Sequence, residues 1–239
     1  MAGLKTGFFP PFFQILIGNN ANNANLEPMG GTVLRDYALT TFVTLAVVVD
    51  PLGLAPTFLS ITQGLSKTAR RDIGWRAAII AAAILIATAL GGTWLLTRLG
   101  ITLPAFRISG GVLLFAVAFE MVLGVRPARE ARQAEQAVEE HARNIAAFPL
   151  AIPMIAGPGA ITATLLLAGR TDGDPVLMSV LIAIIAAVTI ICALIFLLAS
   201  RVAGILGVTG NVVLSRVLGV LLAALAVQFV IDGSRAAFG

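Results

Sequence analysis

Long apolar runs separated by short polar stretches occupy most of the chain. Each run is long enough for a helix to cross the roughly 30 Å hydrocarbon layer of a bilayer. The six runs cover residues 37–62, 73–97, 104–124, 146–169, 176–199 and 211–232. This pattern predicts an all-α membrane protein with six transmembrane helices.

The first run is interrupted near its middle by the stretch Asp50-Pro51-Leu52-Gly53-Leu54-Ala55-Pro56. A charge at the bilayer centre costs about 2.5–3.5 kcal/mol on insertion scales, so Asp50 needs a partner, a cavity or a proton. Pro51 disfavours the α conformation for Asp50, and both Pro51 and Pro56 remove a backbone donor. The first helix is therefore predicted to break at Asp50.

The fourth run carries three prolines and two glycines between Pro149 and Gly159. Pro153 and Pro158 each free a backbone carbonyl, and the flanking glycines, one of them Gly157, let backbone approach a ligand closely. Interrupted backbone at membrane depth is tolerated only where it is buried in protein or lines a watery cavity. A second break is predicted here, and such discontinuous helices bind ions and zwitterions in secondary transporters.

The two halves of the chain resemble each other at a nearly constant offset. Gly111-Val112-Leu113-Leu114 in the third run matches Gly219-Val220-Leu221-Leu222 in the sixth, 108 positions later. Asp50-Pro51 corresponds to Gly157-Pro158, 107 positions later. Because each half holds an odd number of spans, the halves must have opposite orientations. This predicts two inverted three-helix repeats with discontinuous first and fourth helices.

The predicted repeats cover 37–124 and 146–239, joined by a charged cytoplasmic linker at 125–145. Residues 1–36 are excluded from the fold, because they hold a short, possible signal-like apolar stretch broken by Pro10-Pro11. Whether this segment is cleaved is left open. If the amino terminus is outside, the loops inside hold more lysines and arginines than the loops outside. This bias predicts that both termini lie outside.

Composition supports the membrane assignment. The 239 residues are 58% hydrophobic and 12% charged, against about half and a quarter in soluble chains. The net charge of +4 comes mostly from cations between apolar runs, which indicates membrane orientation rather than nucleic-acid binding. The one histidine, His141, has no second soft ligand nearby, and the one cysteine, Cys192, lies in an apolar run. We expect no metal site and no cofactor.

Four ordered motifs between Tyr37 and Gly233 resemble those of the MarC-related membrane proteins. They are Asp50 to Pro56, Phe106-Arg107-Ile108-Ser109-Gly110-Gly111, Pro149 to Pro153 followed by Gly157-Pro158-Gly159, and Ala223 to Phe229. The family includes archaeal SnatA-type members described as transporters of small neutral amino acids, glycine and alanine, with a coupled cation or proton. The resemblance implies such a transporter in the bacterial inner membrane. The family name, taken from an antibiotic-resistance locus, does not establish drug efflux.

The two breaks together predict a substrate- and ion-binding site. Its predicted members are Asp50, Pro51, Gly53, Pro56, Pro153, Gly157, Pro158 and Gly159. Candidates for gating or coupling are Arg107, Gly110, Gly111, Glu120 and Gln228. The structural alternatives are a capping carboxylate for Asp50, ordinary kinks at the prolines, and tight helix packing at the glycine pair.

The sequence therefore predicts a secondary transporter of small neutral amino acids that works by alternating access of the two repeats. Its partners would be the lipid bilayer, the amino acid and a coupling proton or cation. An exporter of other metabolites or drugs on the same scaffold, and a non-transporting membrane protein, stay open as alternatives. An enzyme is not expected, because Asp50 has no second carboxylate at the membrane midplane and His141 lies outside every span.

Overall fold

The computed structural model describes residues 29–125, 129 and 146–238, and within this part every regular element is a helix. The predicted signal-like segment up to residue 28 and most of the linker, including His141, lie outside the described residues. The elements are α1 (Met29–Val49), α2 (Pro51–Ile61), α3 (Lys67–Arg98), α4 (Leu103–Leu123), a π-helix π1 (Ala146–Ile155), α5 (Pro158–Gly169), α6 (Pro175–Leu197) and α7 (Ala199–Phe238).

Five segments of the described chain are helical, long and apolar enough to cross a membrane. They are Val33–Ile61, Lys67–Arg98, Leu103–Leu123, Pro175–Leu197 and Thr209–Phe238. The predicted all-α membrane protein is confirmed at this level. The predicted span 146–169 instead consists of two shorter helices, π1 and α5. The first helix begins at Met29, ahead of the predicted start at Tyr37, and Arg35 near this end is exposed.

Local signals in the sequence explain where several helices begin and end. The side chains of Ser66, Thr102 and Asp174 each accept a hydrogen bond from a backbone N–H in the first turn of α3, α4 and α6. These caps satisfy donors that have no partner inside the helix. Helix α4 ends at Gly124, whose φ of 71° lies in the left-handed region that favours glycine.

Helix ends gather at two faces because successive spans run in opposite directions. We call the N-terminal face the one that holds the start of α1 and the ends of α3, α5 and α7. We call the linker face the one that holds the ends of α2, α4 and α6 and the start of π1. The long helix α7 changes direction at Gly207, where φ is 62° and ψ is −178°.

Helix α4 packs along α7, and this is the most extensive helix pair in the described part of the chain. Glycines set the close approach of the two backbones. A Cβ at Gly111 would lie 2.7 Å from the carbonyl oxygen of Ala226, and one at Gly219 would lie 3.1 Å from that of Ala118. Small residues allow such approaches between membrane helices.

The core is built from small and medium apolar side chains. Helix α3 buries residues at intervals of three or four, which form one face along the helix: Gly74, Ala77, Ala81, Leu85, Ala89 and Gly92. Phe58 of α2 stacks on Phe196 of α6 with ring centroids 4.5 Å apart. Cys192 of α6 is fully buried in the same core.

The outer surface carries large exposed apolar side chains, among them Ile79, Leu90, Trp94, Val112 and Phe119. Exposed apolar surface on this scale is expected where a protein contacts lipid. The Arg98 guanidinium lies over the Trp94 ring, 5.6 Å from its centroid, at the end of α3. Tryptophan and arginine at a helix end are typical anchors at the membrane–water interface.

Candidate functional site

The first break is a single residue between α1 and α2. Asp50 has φ 50° and ψ 62°, in the left-handed region, and the next helix begins at Pro51. A proline disfavours the right-handed α conformation for the residue before it, and aspartate is one of the few residues besides glycine that adopt the left-handed region. The predicted break at Asp50 is confirmed, and its side chain is buried at 5% exposure.

The Asp50 carboxylate joins three parts of the chain. Its Oδ1 accepts a hydrogen bond of 3.1 Å from the backbone N–H of Gly53, which caps the start of α2. Its Oδ2 accepts a hydrogen bond of 3.3 Å from the hydroxyl of Ser215 on α7, itself buried. A Cβ at Gly53 would overlap the Asp50 carboxylate, so this glycine makes room for the cap.

The second break separates π1 from α5 at Ala156 and Gly157. The N–H of Ala156 donates to the carbonyl of Ala151 at 2.9 Å, which closes the last turn of the π-helix. Gly157 is extended, with φ −79° and ψ 173°, and provides no side-chain cap to the helix that begins at Pro158. A Cβ at Gly157 would overlap the carbonyl oxygen of Pro153. This break is therefore formed by backbone alone.

A cavity of about 290 Å³ lies beside the second break. The chain on both sides of the break forms one wall, from Pro153 to Ile155 and from Gly157 to Ala160. The rest of the lining comes from Val48, two residues before the first break, from Arg129, and from four residues of α4: Leu113, Ala116, Val117 and Glu120. The lining is mainly apolar side chains and bare peptide groups.

An ion pair forms the polar part of the cavity. Arg129 Nη1 lies 2.6 Å from Glu120 Oε1, and the two side chains are 46% and 28% exposed. The other carboxylate oxygen, Glu120 Oε2, is buried and receives no hydrogen bond from any described residue. Both residues lie near the end of α4 at the linker face, so the charged end of the cavity is there.

The opposite, N-terminal face holds a polar group that we call the N-terminal-face cluster: Tyr37, Arg107, Arg170, Gln228 and Asp232. Arg170 pairs with one carboxylate oxygen of Asp232 at 3.0 Å, and Gln228 donates to the other at 2.7 Å. Tyr37 donates to the carbonyl of Leu167 at 3.1 Å. Together these bonds connect α1, α7 and the turn after α5.

Arg170 is the centre of this cluster. Its guanidinium lies over the ring of Phe229, 4.6 Å from the centroid. Burial lowers the pKa of Arg170 below its ordinary value, while the charge of Asp232 opposes that shift and the charge of Arg107 adds to it. The carboxylate thus offsets part of the cost of burying the cation.

The MarC family of integral membrane proteins matches residues 36–238. The chain belongs to the MarC family. A UPF0056 membrane protein of Archaeoglobus fulgidus is 36% identical over 198 residues, 82% of this chain and 92% of the relative. One of Methanocaldococcus jannaschii is 36% identical over 203 residues, 84% and 97% of the two chains. YhcE of Escherichia coli, also a UPF0056 membrane protein, is 33% identical over 200 residues, which are 82% of this chain and 91% of the relative. No solved structure matches the chain significantly.

Four of the residues predicted for the binding site of this MarC family protein line the cavity, Pro153, Gly157, Pro158 and Gly159. Glu120, predicted as a candidate for gating or coupling, lines it as well. Asp50, Pro51, Gly53 and Pro56 are not among its lining residues. Asp50 points to Gly53 and Ser215 instead, and Pro51 opens α2. Pro56 lies inside α2 on an exposed face, so the first span has its break at Asp50 alone.

The candidates for gating or coupling in this MarC family protein fall at different places. Arg107 and Gln228 belong to the N-terminal-face cluster, where Arg107 donates to the carbonyl of Gly169 at 3.5 Å. Gly110 faces α5, and Gly111 lies against α7 at the close approach described above. The geometry at both glycines is that of tight helix packing.

Ser215, Arg129, Arg170 and Asp232 are absent from the sequence-based set of site residues. Ser215 is a polar residue within an apolar run, a signal that could have drawn attention to it. The three charged residues lie in turns or near span ends, where a solvated position is the usual expectation. The pairing of Arg170 with Asp232 joins parts of the chain 62 residues apart, which the pattern of apolar positions does not reveal.

Proposed function

We propose that this protein is a secondary transporter of small neutral amino acids such as glycine and alanine, coupled to a proton or another cation. It works by alternating access of two inverted three-helix repeats in the bacterial inner membrane, with both termini outside. The cavity beside the second break is the observation that carries the proposal.

The start of α5 provides donors for a carboxylate. Pro158 has no N–H and Gly157 gives no side-chain cap, so the first free N–H groups are those of Gly159 and Ala160. Both residues line the cavity. The positive end of a helix dipole favours an anion at this position, and half-helices in transporters bind substrate carboxylates in this way. The first break differs, because the carboxylate of Asp50 already occupies the corresponding position at the start of α2.

The size of the cavity favours a compact solute. Its volume of about 290 Å³ lies just below the roughly 300–1,000 Å³ of pockets that hold drug-sized ligands. Glycines and backbone at the second break leave few side-chain groups to recognise a large or elaborate molecule. A small zwitterion fits this lining better than a drug.

Reciprocal contacts between α4 and α7 support the inverted repeats. Gly111 faces the carbonyl of Ala226, while Gly219 faces the carbonyl of Ala118. Gly111 and Gly219 are 108 positions apart in the sequence, and so are Ala118 and Ala226. The glycine of each repeat therefore contacts the equivalent carbonyl of the other repeat, as expected for two units related by a two-fold axis.

The ends of the two broken helices lie at equivalent positions of the repeats, and an arginine bonds to each of them. Arg70 donates through Nε to the carbonyl of Thr62 at 3.1 Å, and Arg107 donates to the carbonyl of Gly169 at 3.5 Å. Thr62 and Gly169 are 107 positions apart and lie at opposite faces. The two helix ends occupy equivalent positions of the repeats and lie at opposite faces, as the opposite orientation of the repeats requires, although both arginines belong to the first repeat.

The test is uptake of labelled glycine and alanine into proteoliposomes with an imposed proton gradient. Gly157→Ala should abolish uptake, because the added Cβ overlaps the Pro153 carbonyl and distorts the cavity wall. Gly91→Ala is the matched control, since a Cβ there meets nothing within 4 Å. Absence of uptake of both amino acids by the wild type, under either gradient direction, would refute the proposal. Transport of antibiotics without competition by amino acids would favour the exporter alternative.

A further inference from the structure

The two oxygens of the Glu120 carboxylate have different surroundings. Oε1 is paired with Arg129 at 2.6 Å, whereas Oε2 is buried without a donor from any described residue. A buried carboxylate oxygen is stable only when a donor or a cation satisfies it. Because Glu120 lines the cavity, that donor can come from a molecule bound there.

We propose that Glu120 binds the ammonium group of the substrate and that Arg129 pairs with the same carboxylate, through Oε1, when the cavity is empty. The assignment rests on the proposed function and deepens it by naming the cation-binding group. A zwitterion then spans the cavity between its two polar ends. Its carboxylate meets the N–H groups of Gly159 and Ala160, and its ammonium meets Glu120.

Glu120 suits this role better than Asp50 in the conformation described. Both oxygens of Asp50 already accept hydrogen bonds, from Gly53 and from Ser215, and Asp50 is not among the residues lining the cavity. Glu120 offers, at the cavity wall, a carboxylate oxygen that no described residue bonds. An ammonium group brings three donors and a positive charge to such an oxygen.

Arg129 resembles the ligand in charge and in hydrogen-bonding groups. Its guanidinium provides the cation that Glu120 requires, so the ion pair keeps the carboxylate paired before substrate arrives. The side chain is 46% exposed, and it follows α4 on the linker side, where its N–H bonds to the carbonyl of Val125 at 3.1 Å. It can therefore leave the cavity without disturbing the buried core. Substrate and Arg129 compete for one carboxylate.

The competition gives two variants opposite effects on alanine binding. The experiment is calorimetric titration of purified full-length protein in detergent with alanine, at constant ionic strength. Glu120→Gln should weaken binding at least tenfold, because the amide keeps the shape of the side chain but loses its charge. Arg129→Gln should tighten binding several-fold, because it removes the competitor. In the double variant the gain should disappear.

Propionate is the control ligand, because it has the carboxylate of alanine and no ammonium group. Glu120→Gln should not weaken its binding. Thermal unfolding of each variant is measured in parallel to identify a defect in folding. Such a defect would weaken the binding of alanine and of propionate alike. Unchanged alanine affinity in Glu120→Gln, or equal weakening by both single variants, would overturn the assignment while the transport proposal stands. A wild type that binds neither alanine nor glycine would overturn both.

Discussion

Replacement of Asp50 separates the role of its carboxylate as a helix cap from the effect of its charge. In Asp50→Ala the cap of α2 is lost, which costs about 0.5–2 kcal/mol. Alanine also has to adopt the left-handed conformation, at about 1–2 kcal/mol. The buried hydroxyl of Ser215 loses an acceptor, for about 1–3 kcal/mol. Since such terms are not fully additive, we expect a total loss of about 3–5 kcal/mol.

Asp50→Asn is the matched variant. Asparagine caps helices about as well as aspartate and tolerates the left-handed region, so the loss should stay within about 1 kcal/mol. Thermal unfolding in detergent measures the difference. With roughly 2–4 °C per kcal/mol for a chain of this size, Asp50→Ala should unfold about 10 °C below the wild type and Asp50→Asn within a few degrees of it. Equal losses in the two variants, or none in Asp50→Ala, would refute the reasoning.

The same variants address the sequence-based prediction that Asp50 binds substrate or ion. Glycine uptake is measured in proteoliposomes that contain Asp50→Asn, under the conditions used for the wild type. A variant that unfolds normally but no longer transports would support direct participation of the charge. Full uptake would indicate that Asp50 acts as a helix cap only. Glu120 would then be the carboxylate to test for substrate binding.

Two further predictions follow from other contacts. Asp232→Asn should lower the free energy of unfolding by about 1–3 kcal/mol, because it weakens a charge-assisted bond to the partly buried Arg170. Thermal unfolding checks this, and a change no larger than in Arg35→Gln, a variant of an exposed charge, would contradict it. Gly111→Ala should cost about 1–3 kcal/mol through overpacking against the Ala226 carbonyl. Gly91→Ala should be neutral or slightly stabilising in the same assay, and equal effects at the two glycines would contradict the packing argument.

The breaks could be predicted because their causes are local. Pro51 acts on its immediate neighbour, and the proline and glycine run around Gly157 interrupts its own helix. Hydropathy likewise identified the apolar helices, since crossing a bilayer requires a minimum length. The π geometry of residues 146–155 was not predicted, because the choice between helix types depends on how this segment packs against α3.

The long-range partners of Asp50 and Arg170 could not be predicted, because they come from distant parts of the chain. The hydroxyl that meets Asp50 is 165 positions away, and Arg170 is 62 positions from Asp232. A carboxylate at membrane depth can cap a helix, bind a ligand or pair with a cation, and the sequence alone is compatible with all three. Packing of the helices decides which group reaches it.

The location of Cys192 has a practical consequence for spectroscopy. It is the one cysteine of the chain, and no part of it reaches the solvent. Thiol reagents added to the folded protein will therefore react only with cysteines introduced by mutagenesis. Spin labels or fluorophores can be attached to introduced cysteines in pairs at the two faces while Cys192 is retained. Distance distributions can then report how far each end opens during the proposed transport cycle.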